Sequence, residues 1–160
     1  LELGWSSVSV GTFLALWIIG YGFIQAMAPS ITPRLDGRVP DGRTALLWGL
    51  TLALVPLGIA ACLQLGFDPA AVVVIGLALF ALVFAMNSAV HSFLVVSYAD
   101  ADGVSLDVGF YYMANAAGRL LGTVCSGWMY QSYGLVACLG LSAVFVVSVA
   151  LVSSKLPRHS

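Results

Sequence analysis

Long apolar segments, almost free of charge, are the feature that most limits how this chain can fold. Each is close to the roughly 20 residues that a helix needs to cross a bilayer. In lipid, only helices and closed barrels satisfy all backbone polar groups internally. The segments run approximately from Trp5 to Met27, Ala45 to Leu65, Ala70 to Val96, Val108 to Tyr130 and Leu135 to Val152. We therefore predict an all-α membrane protein with five transmembrane helices.

Composition supports this class. Charged residues make up 8% of the chain and hydrophobic residues 61%, against roughly 25% charged residues in an ordinary soluble domain. This apolar composition predicts a lipid bilayer as the surroundings. The net charge of −1 is uninformative, but no basic patch lies outside the short loops, so we predict no nucleic-acid partner. Cys62, Cys125 and Cys138 stand singly in apolar segments. We interpret them as small core residues, with ligation of a metal or an arsenical as the less favoured alternative, and predict no metal site and no cofactor.

The basic residues predict the orientation. Arg34, Arg38 and Arg43 lie between the first two segments, and Lys155 and Arg158 follow the last one. The loops at 66–69 and 131–134 carry no Lys or Arg. Because positive residues concentrate on the cytoplasmic side, we predict that the first loop and the C-terminus are cytoplasmic.

Arg119 is the only charged residue in the middle of an apolar segment. A charge at that depth costs about 3 kcal/mol or more unless a partner or a water-filled cavity receives it. Tyr111, Asn115 and Thr123 are spaced by four residues on the same stripe of the helix, where their polar groups can bond to the arginine or to a bound oxyanion. We predict a substrate site here. The alternative is a structural role, with Arg119 held by a backbone carbonyl or by a carboxylate in a longer chain.

Small residues repeat every four positions on the neighbouring stripe of the same segment. They are Ala114, Gly118, Gly122 and Ser126. Such a groove lets another helix approach closely, so we predict that this face packs against a neighbour.

The third segment contains a second group of polar side chains. Asn87 and His91 are one helical turn apart, as are Ser88 and Ser92, so all four can face one cavity near the cytoplasmic third of the membrane. We predict that Asn87 and His91 contribute to the substrate site. His91 has three possible roles, namely ligand, proton carrier or ordinary core residue, and the sequence leaves them open.

The first segment has an aromatic stripe that ends in an amide. Trp17, Tyr21 and Gln25 lie on one face at four-residue spacing. Such a stripe is more often packing, but Gln25 one turn from Tyr21 can complete a wall of the substrate site. No segment has a nucleophile beside a base, a phosphate-binding glycine loop or a metal-ligand spacing, so we predict that the protein is not an enzyme.

Three stretches resemble a known family. Between the first two segments, ITPRLDGR resembles the cytoplasmic loop that follows the second helix of each half of a major facilitator carrier. In that register the five segments are similar to helices 8 to 12 of a twelve-helix fold. The stretches 11–29 and 91–135, above all GFYYMANAAGRLLG, resemble the ArsJ-type organoarsenical efflux permeases of bacterial arsenic-resistance operons.

The resemblance implies a function and a partner enzyme. Such permeases export 1-arseno-3-phosphoglycerate, which glyceraldehyde-3-phosphate dehydrogenase makes from arsenate, across the bacterial inner membrane. A guanidinium suits phosphate and arsenate oxygens, which agrees with a site at Arg119. A major facilitator carrier of another organic anion or drug remains an alternative, as does a non-transporting membrane scaffold.

The resemblance also bears on domain organisation. The chain begins Leu1-Glu2-Leu3, without an initiator methionine or a secretory signal. We expect residues 1–160 to be part of the C-terminal six-helix half of a longer carrier, with helix seven and the N-terminal half missing. The apolar segments contain no Asp or Glu, so a carboxylate for proton coupling would lie in that missing part.

Overall fold

The computed structural model of the chain describes residues 4–36, 39–99 and 104–156, apart from the side chains of 29–36 and 104. In this part the fold is entirely helical. The helices are α1 (Ser7–Asp36), α2 (Gly42–Gln64), α3 (Pro69–Ser97) and α4 (Val104–Ser153). All four contain a stretch long and apolar enough to cross a membrane. The predicted all-α class is therefore confirmed for the described residues, and the length and apolar composition of the four helices are those of membrane spans.

Aspartate side chains begin two of the helices. Asp41 precedes α2, and its Oδ1 accepts hydrogen bonds from the backbone N–H of Thr44 at 2.9 Å and from the Thr44 hydroxyl at 3.1 Å. Asp68 precedes α3, and its Oδ2 accepts from the N–H of Ala71 at 2.8 Å. These caps satisfy amide groups that the first helical turn leaves free. The turn before Asp68 includes Gly66 at φ +82°, which a residue without Cβ adopts easily.

Helix α4 is interrupted at one glycine. Gly134 has φ +80° and ψ −177°, which is not a helical conformation. The Cys138 thiol donates to the carbonyl oxygen of Ser126 at 3.7 Å. These two residues are twelve positions apart, and a straight helix would separate them by about 18 Å. The chain therefore reverses at Gly134. We call residues 104–133 the first arm of α4 and residues 135–153 its second arm.

Helix α2 packs against α3 and the second arm. One apolar cluster contains Ala45, Val90 and Leu94, and another contains Leu52, Val55 and Val83, with Val146 of the second arm against it. Small residues bring the backbones together, since Gly49 faces Ala150. Close backbone approach through small residues is typical of helix packing in membranes.

Helix α1 packs on the other side of α3 and has no contact with α2 or α4 among the described residues. The Trp17 indole N–H donates to the carbonyl oxygen of Leu77 at 2.7 Å. Rings from both helices stack in series, with Tyr21 lying 5.9 Å from Trp17 and 5.6 Å from Phe84 between ring centroids. The aromatic stripe of the first segment is therefore at a helix interface.

The helices differ from the predicted segments in two places: the last two predicted segments both lie within α4, and α1 extends further than predicted. The sequence predicts a connecting loop from about residue 28, whereas α1 remains helical through Asp36. Arg34 accordingly lies in the last turns of α1. Arg38 and Arg158, which also support the predicted orientation, lie outside the described residues.

Candidate functional site

Arg119 lies near the middle of the first arm, on an exposed part of its surface. Within the described part of the chain, its guanidinium has no ion pair and no hydrogen bond. The side chain borders an open depression of about 440 Å³ that is lined by Tyr112, Asn115, Ala116 and Arg119. A fixed cation, an amide and a phenol thus share one surface in an otherwise apolar arm. Such groups can bind the oxygens of a small anion.

The members of this surface differ in part from those that the sequence predicts. Asn115 and Arg119 are present, but Tyr112 takes the place of Tyr111, whose ring instead makes an edge contact with Tyr112 at 5.5 Å. Tyr112 is seven residues before Arg119, a spacing that also returns to the same helix face. The sequence interpretation missed it because it followed only the four-residue spacing.

Thr123 has a different bonding state from the predicted one. Its hydroxyl donates to the carbonyl oxygen of Arg119 at 2.8 Å, so the hydrogen that was expected to reach an oxyanion is already used. Only the acceptor lone pairs of the hydroxyl remain. Thr123 therefore supports the helix backbone next to Arg119 and does not donate to a ligand in this conformation.

The small-residue face of the first arm has no helix against it in the described structure. A Cβ added at Gly118 or Gly122 would meet no atom within 4 Å. Only the Ser126 end of this face is covered, where Cys138 donates to its carbonyl oxygen. Within the described residues, the predicted packing of this face against a neighbouring segment is therefore seen only at Ser126.

A second polar group lies between α1 and α3. The Gln25 amide nitrogen donates to the Ser88 hydroxyl at 3.2 Å, and Tyr21 stacks one turn away along α1. The structure thus brings Gln25 and Tyr21 next to the polar part of α3. Ser92 is exposed, so the four polar residues of the third segment do not all share one environment.

Asn87 and His91 lie in this polar part of α3. The His91 Nδ1 atom is 2.9 Å from the backbone oxygen of Asn87. The other ring nitrogen, Nε2, and the Asn87 Oδ1 atom are buried, and neither has a hydrogen-bond partner within the described structure. A buried polar atom without a partner costs about 1 to 3 kcal/mol. These two atoms are therefore unusual and require a physical explanation.

The predicted site residues thus form two groups. Arg119 and Asn115 lie on the first arm of α4, and no hydrogen bond or ring contact joins them to the group that includes Gln25 and His91. Helices α1 and α4 do not contact each other among the described residues. The structure brings Asn115 to Arg119 and Gln25 to Ser88, and the membership of both groups in one substrate site stays a prediction.

The described residues contain no cluster of three or more His, Cys, Asp or Glu side chains that could hold a metal ion. The three cysteines are free and half-buried. The four apolar helices are compatible with the class of helical membrane proteins. No protein-family model, no curated protein and no solved structure matches the chain.

Proposed function

We propose that the protein is part of a membrane carrier that exports a small organic anion, and that Arg119 binds this anion. The observation that carries the proposal is an arginine in the middle of a membrane helix with no protein partner in the described structure. In contact with lipid, this charge costs about 3 kcal/mol. A water-filled substrate cavity that Arg119 faces removes most of that cost.

The chemistry of the depression around Arg119 favours an oxyanion. A guanidinium presents paired N–H donors that match two oxygens of a phosphate or arsenate group. The Asn115 amide and the Tyr112 hydroxyl add neutral donors on the same surface. A scaffold that only packs against other helices would have no use for an unpartnered cation at this depth.

The substrate we propose is 1-arseno-3-phosphoglycerate, exported at the bacterial inner membrane in arsenate resistance. This choice is supported by the resemblance of residues 11–29 and 91–135 to ArsJ-type permeases of the major facilitator superfamily. Glyceraldehyde-3-phosphate dehydrogenase would supply the substrate. Because the depression has no group selective for arsenic, export of another organic anion by the same site is the second candidate.

We further propose that the two arms of α4 are separate spans. A straight helix of 50 residues would be about 75 Å long, more than twice the roughly 30 Å of the hydrocarbon core. The reversal at Gly134 divides it into two segments of suitable length. The chain then contributes five spans, which correspond to helices 8 to 12 of a major facilitator carrier, and the other half would complete the site.

The test measures arsenic efflux from cells that lack other arsenate exporters and that express the full-length protein with the dehydrogenase. Arg119→Ala should abolish export. Arg119→Lys keeps the charge but loses the paired donors, so export should fall about tenfold or more. Arg43→Ala is the matched control, because Arg43 is an exposed arginine at the start of α2 and should be dispensable.

Export is normalised to folded protein, measured by size-exclusion chromatography in detergent. Normal export per folded molecule in Arg119→Ala would refute binding by Arg119. Loss of folded protein in both Arg119 variants would instead mean that Arg119 is paired with a structural partner. That result would also refute anion binding by Arg119. Export of an unrelated organic anion without any arsenic efflux would favour the second candidate, a carrier of another organic anion.

A further inference from the structure

The described helices share one end, at which the chain turns back twice. Gly42 of α2 lies against Ser153 of the second arm of α4. Further along α2, Gly49 lies against Ala150, so these two helices are antiparallel. Counted from this second contact, the last residue of α2 and the reversal at Gly134 are nearly the same number of residues away. Because each helical residue adds about 1.5 Å, the end of α2 and the reversal lie at the same level.

Helices α1 and α3 both begin at this end. The Trp17 indole N–H bonds to the carbonyl oxygen of Leu77. Further along both helices, Gln25 bonds to Ser88, so α1 and α3 are parallel. Helix α1 begins ten residues before Trp17 and α3 begins eight residues before Leu77, so their first turns are nearly level. We call this common end the reversal end, and it comprises residues 5–7, 64–69 and 128–135.

Five aromatic residues lie at the reversal end, and we call them the aromatic collar. They are Trp5, Phe67, Trp128, Tyr130 and Tyr133. All except Trp5 are exposed, including 59% of Trp128 and 65% of Tyr133. The sequence of the reversal end contains no Lys or Arg, whereas Arg43 and Lys155 lie at the opposite end.

The polar tips of the collar have no acceptor within the described part of the chain. Neither the indole N–H of Trp128 nor the hydroxyls of Tyr130 and Tyr133 form a hydrogen bond there. The indole of Trp17, at the interface of α1 and α3, instead donates to a backbone oxygen. At a membrane interface, Trp and Tyr keep the ring in an apolar layer and the polar tip at the level of the headgroups. The collar has the composition and the free donors of such a layer.

The first arm presents Trp128 on the face opposite the depression around Arg119. The two residues are nine positions apart, or about two and a half helical turns, so their side chains point in opposite directions. Leu121 lies two turns before Trp128 on the same face and is 64% exposed, and Val124 beside it is also exposed. An exposed apolar stripe that ends in a tryptophan matches acyl chains that end at headgroups.

We propose that the aromatic collar is a lipid-contacting surface that binds phospholipid at the level of the glycerol and the headgroups. The rings lie against the first part of the acyl chains, while the indole N–H and the tyrosine hydroxyls donate to ester and phosphate oxygens. In the predicted orientation this is the non-cytoplasmic leaflet, in agreement with the lack of Lys and Arg at this end. The inference rests on the proposal that the first arm spans the membrane, and not on the ligand of Arg119.

The experiment measures how bromine atoms on the acyl chains of phosphatidylcholine quench tryptophan fluorescence. The full-length protein carries Trp128 as its sole tryptophan, with phenylalanine at the other tryptophan positions. Folded protein is selected by size-exclusion chromatography and reconstituted into two kinds of vesicle. One lipid has bromine near the glycerol end of its acyl chains, and the other has it near the methyl end. The first lipid should quench Trp128 more strongly than the second.

Two further single-tryptophan proteins are compared with it. Leu121→Trp combined with Trp128→Phe is the matched control, because residue 121 is similarly exposed on the same face and about 10 Å deeper. For this control the order of quenching should be reversed. Phe67→Trp as the sole tryptophan should behave like Trp128, since it lies in the other turn of the reversal end.

Two results would overturn the proposal. One is quenching of Trp128 that is equal for both lipids or stronger for bromine near the methyl end. The other is no quenching by either lipid. In that case, quenching by acrylamide would place Trp128 in water, and protection from acrylamide would place it against protein. Whether the first arm spans the membrane is decided separately, by comparing the reactivity of cysteines at Ser105 and Lys155. Because no transport is measured, failure here leaves anion binding by Arg119 untouched.

Discussion

The glycines of α2 differ in how closely another helix approaches them. A Cβ at Gly49 would be 2.8 Å from the Cβ of Ala150, and a Cβ at Gly42 would be 2.8 Å from the carbonyl oxygen of Ser153. A Cβ at Gly58 would meet nothing within 4 Å. The first two glycines therefore determine how closely α2 and the second arm of α4 approach, whereas Gly58 does not.

This difference predicts the stability of two matched variants. Gly49→Leu should lower the free energy of unfolding by about 1 to 3 kcal/mol, because the added side chain forces the helices apart. Gly58→Leu should be neutral or slightly stabilising, since leucine is the better helix former by up to about 1 kcal/mol. Equilibrium unfolding in mixed micelles measures both. Equal stability of the two variants would contradict the close packing at Gly49.

At the scale of elements, α4 depends on one backbone conformation. The two arms meet at Gly134, whose φ of +80° is unfavourable for any residue with a Cβ. The sequence predicts a turn at 131–134, and the structure has the reversal at its last residue. The half-buried second arm packs on α2, while most of the first arm is exposed.

Substitution at this glycine should weaken the reversal. Gly134→Ala should cost about 1 to 3 kcal/mol of unfolding free energy, because φ +80° combined with ψ −177° is a backbone conformation that essentially only glycine adopts. Gly127→Ala is the control, since Gly127 lies in the first arm with nothing within 4 Å of an added Cβ. It should be neutral or stabilising by up to about 1 kcal/mol. If Gly134→Ala were as stable as Gly127→Ala, the strain assigned to the reversal would be absent.

At the scale of the whole molecule, the helices form a core of α2, α3 and the second arm, with α1 on one side of α3. The start of α2 and the end of α3 are close together, and Tyr98, which follows α3, packs against the apolar cluster of Ala45, Val90 and Leu94. Burial of the ring and the nearby Asp41 carboxylate raise the pKa of the Tyr98 hydroxyl above its ordinary value. The tyrosine therefore stays neutral at physiological pH and is compatible with this apolar contact.

The orientation can be tested with single cysteines in a protein without Cys62, Cys125 and Cys138. Cysteines at Arg43 and Lys155, both exposed, should react with a membrane-impermeant maleimide only after the inner membrane is permeabilised. Those at Phe67 and Gln131, also exposed, should react in intact spheroplasts. The physical reason is the retention of positively charged loops in the cytoplasm.

A cysteine at Ser105 distinguishes one long span from two. If the arms of α4 are separate spans, Ser105 and Lys155 lie on the same side and become reactive together. Opposite reactivity would mean that α4 crosses the membrane once. Labelling of Arg43→Cys from outside would reverse the whole orientation.

The helical class, the approximate spans and the unusual position of Arg119 could all be predicted from the sequence. Lipid offers no hydrogen bonds to the backbone, so long apolar segments must be helical. Lipid also does not solvate charged groups, so an arginine in the middle of a segment must be an exception. Both conclusions depend on the solvent and on residues near in sequence. Neither requires knowledge of which helices are neighbours.

Tertiary structure alone decided which small residues make close contacts and which polar atoms have partners. Gly49 and Gly118 are equivalent as small residues in apolar segments, but only Gly49 has another helix against it. Likewise, Gln25 bonds to Ser88, whereas Nε2 of His91 has no partner among the described residues. These outcomes depend on the packing of segments far apart in sequence, and helical periodicity specifies a face of a helix but not the group that meets it.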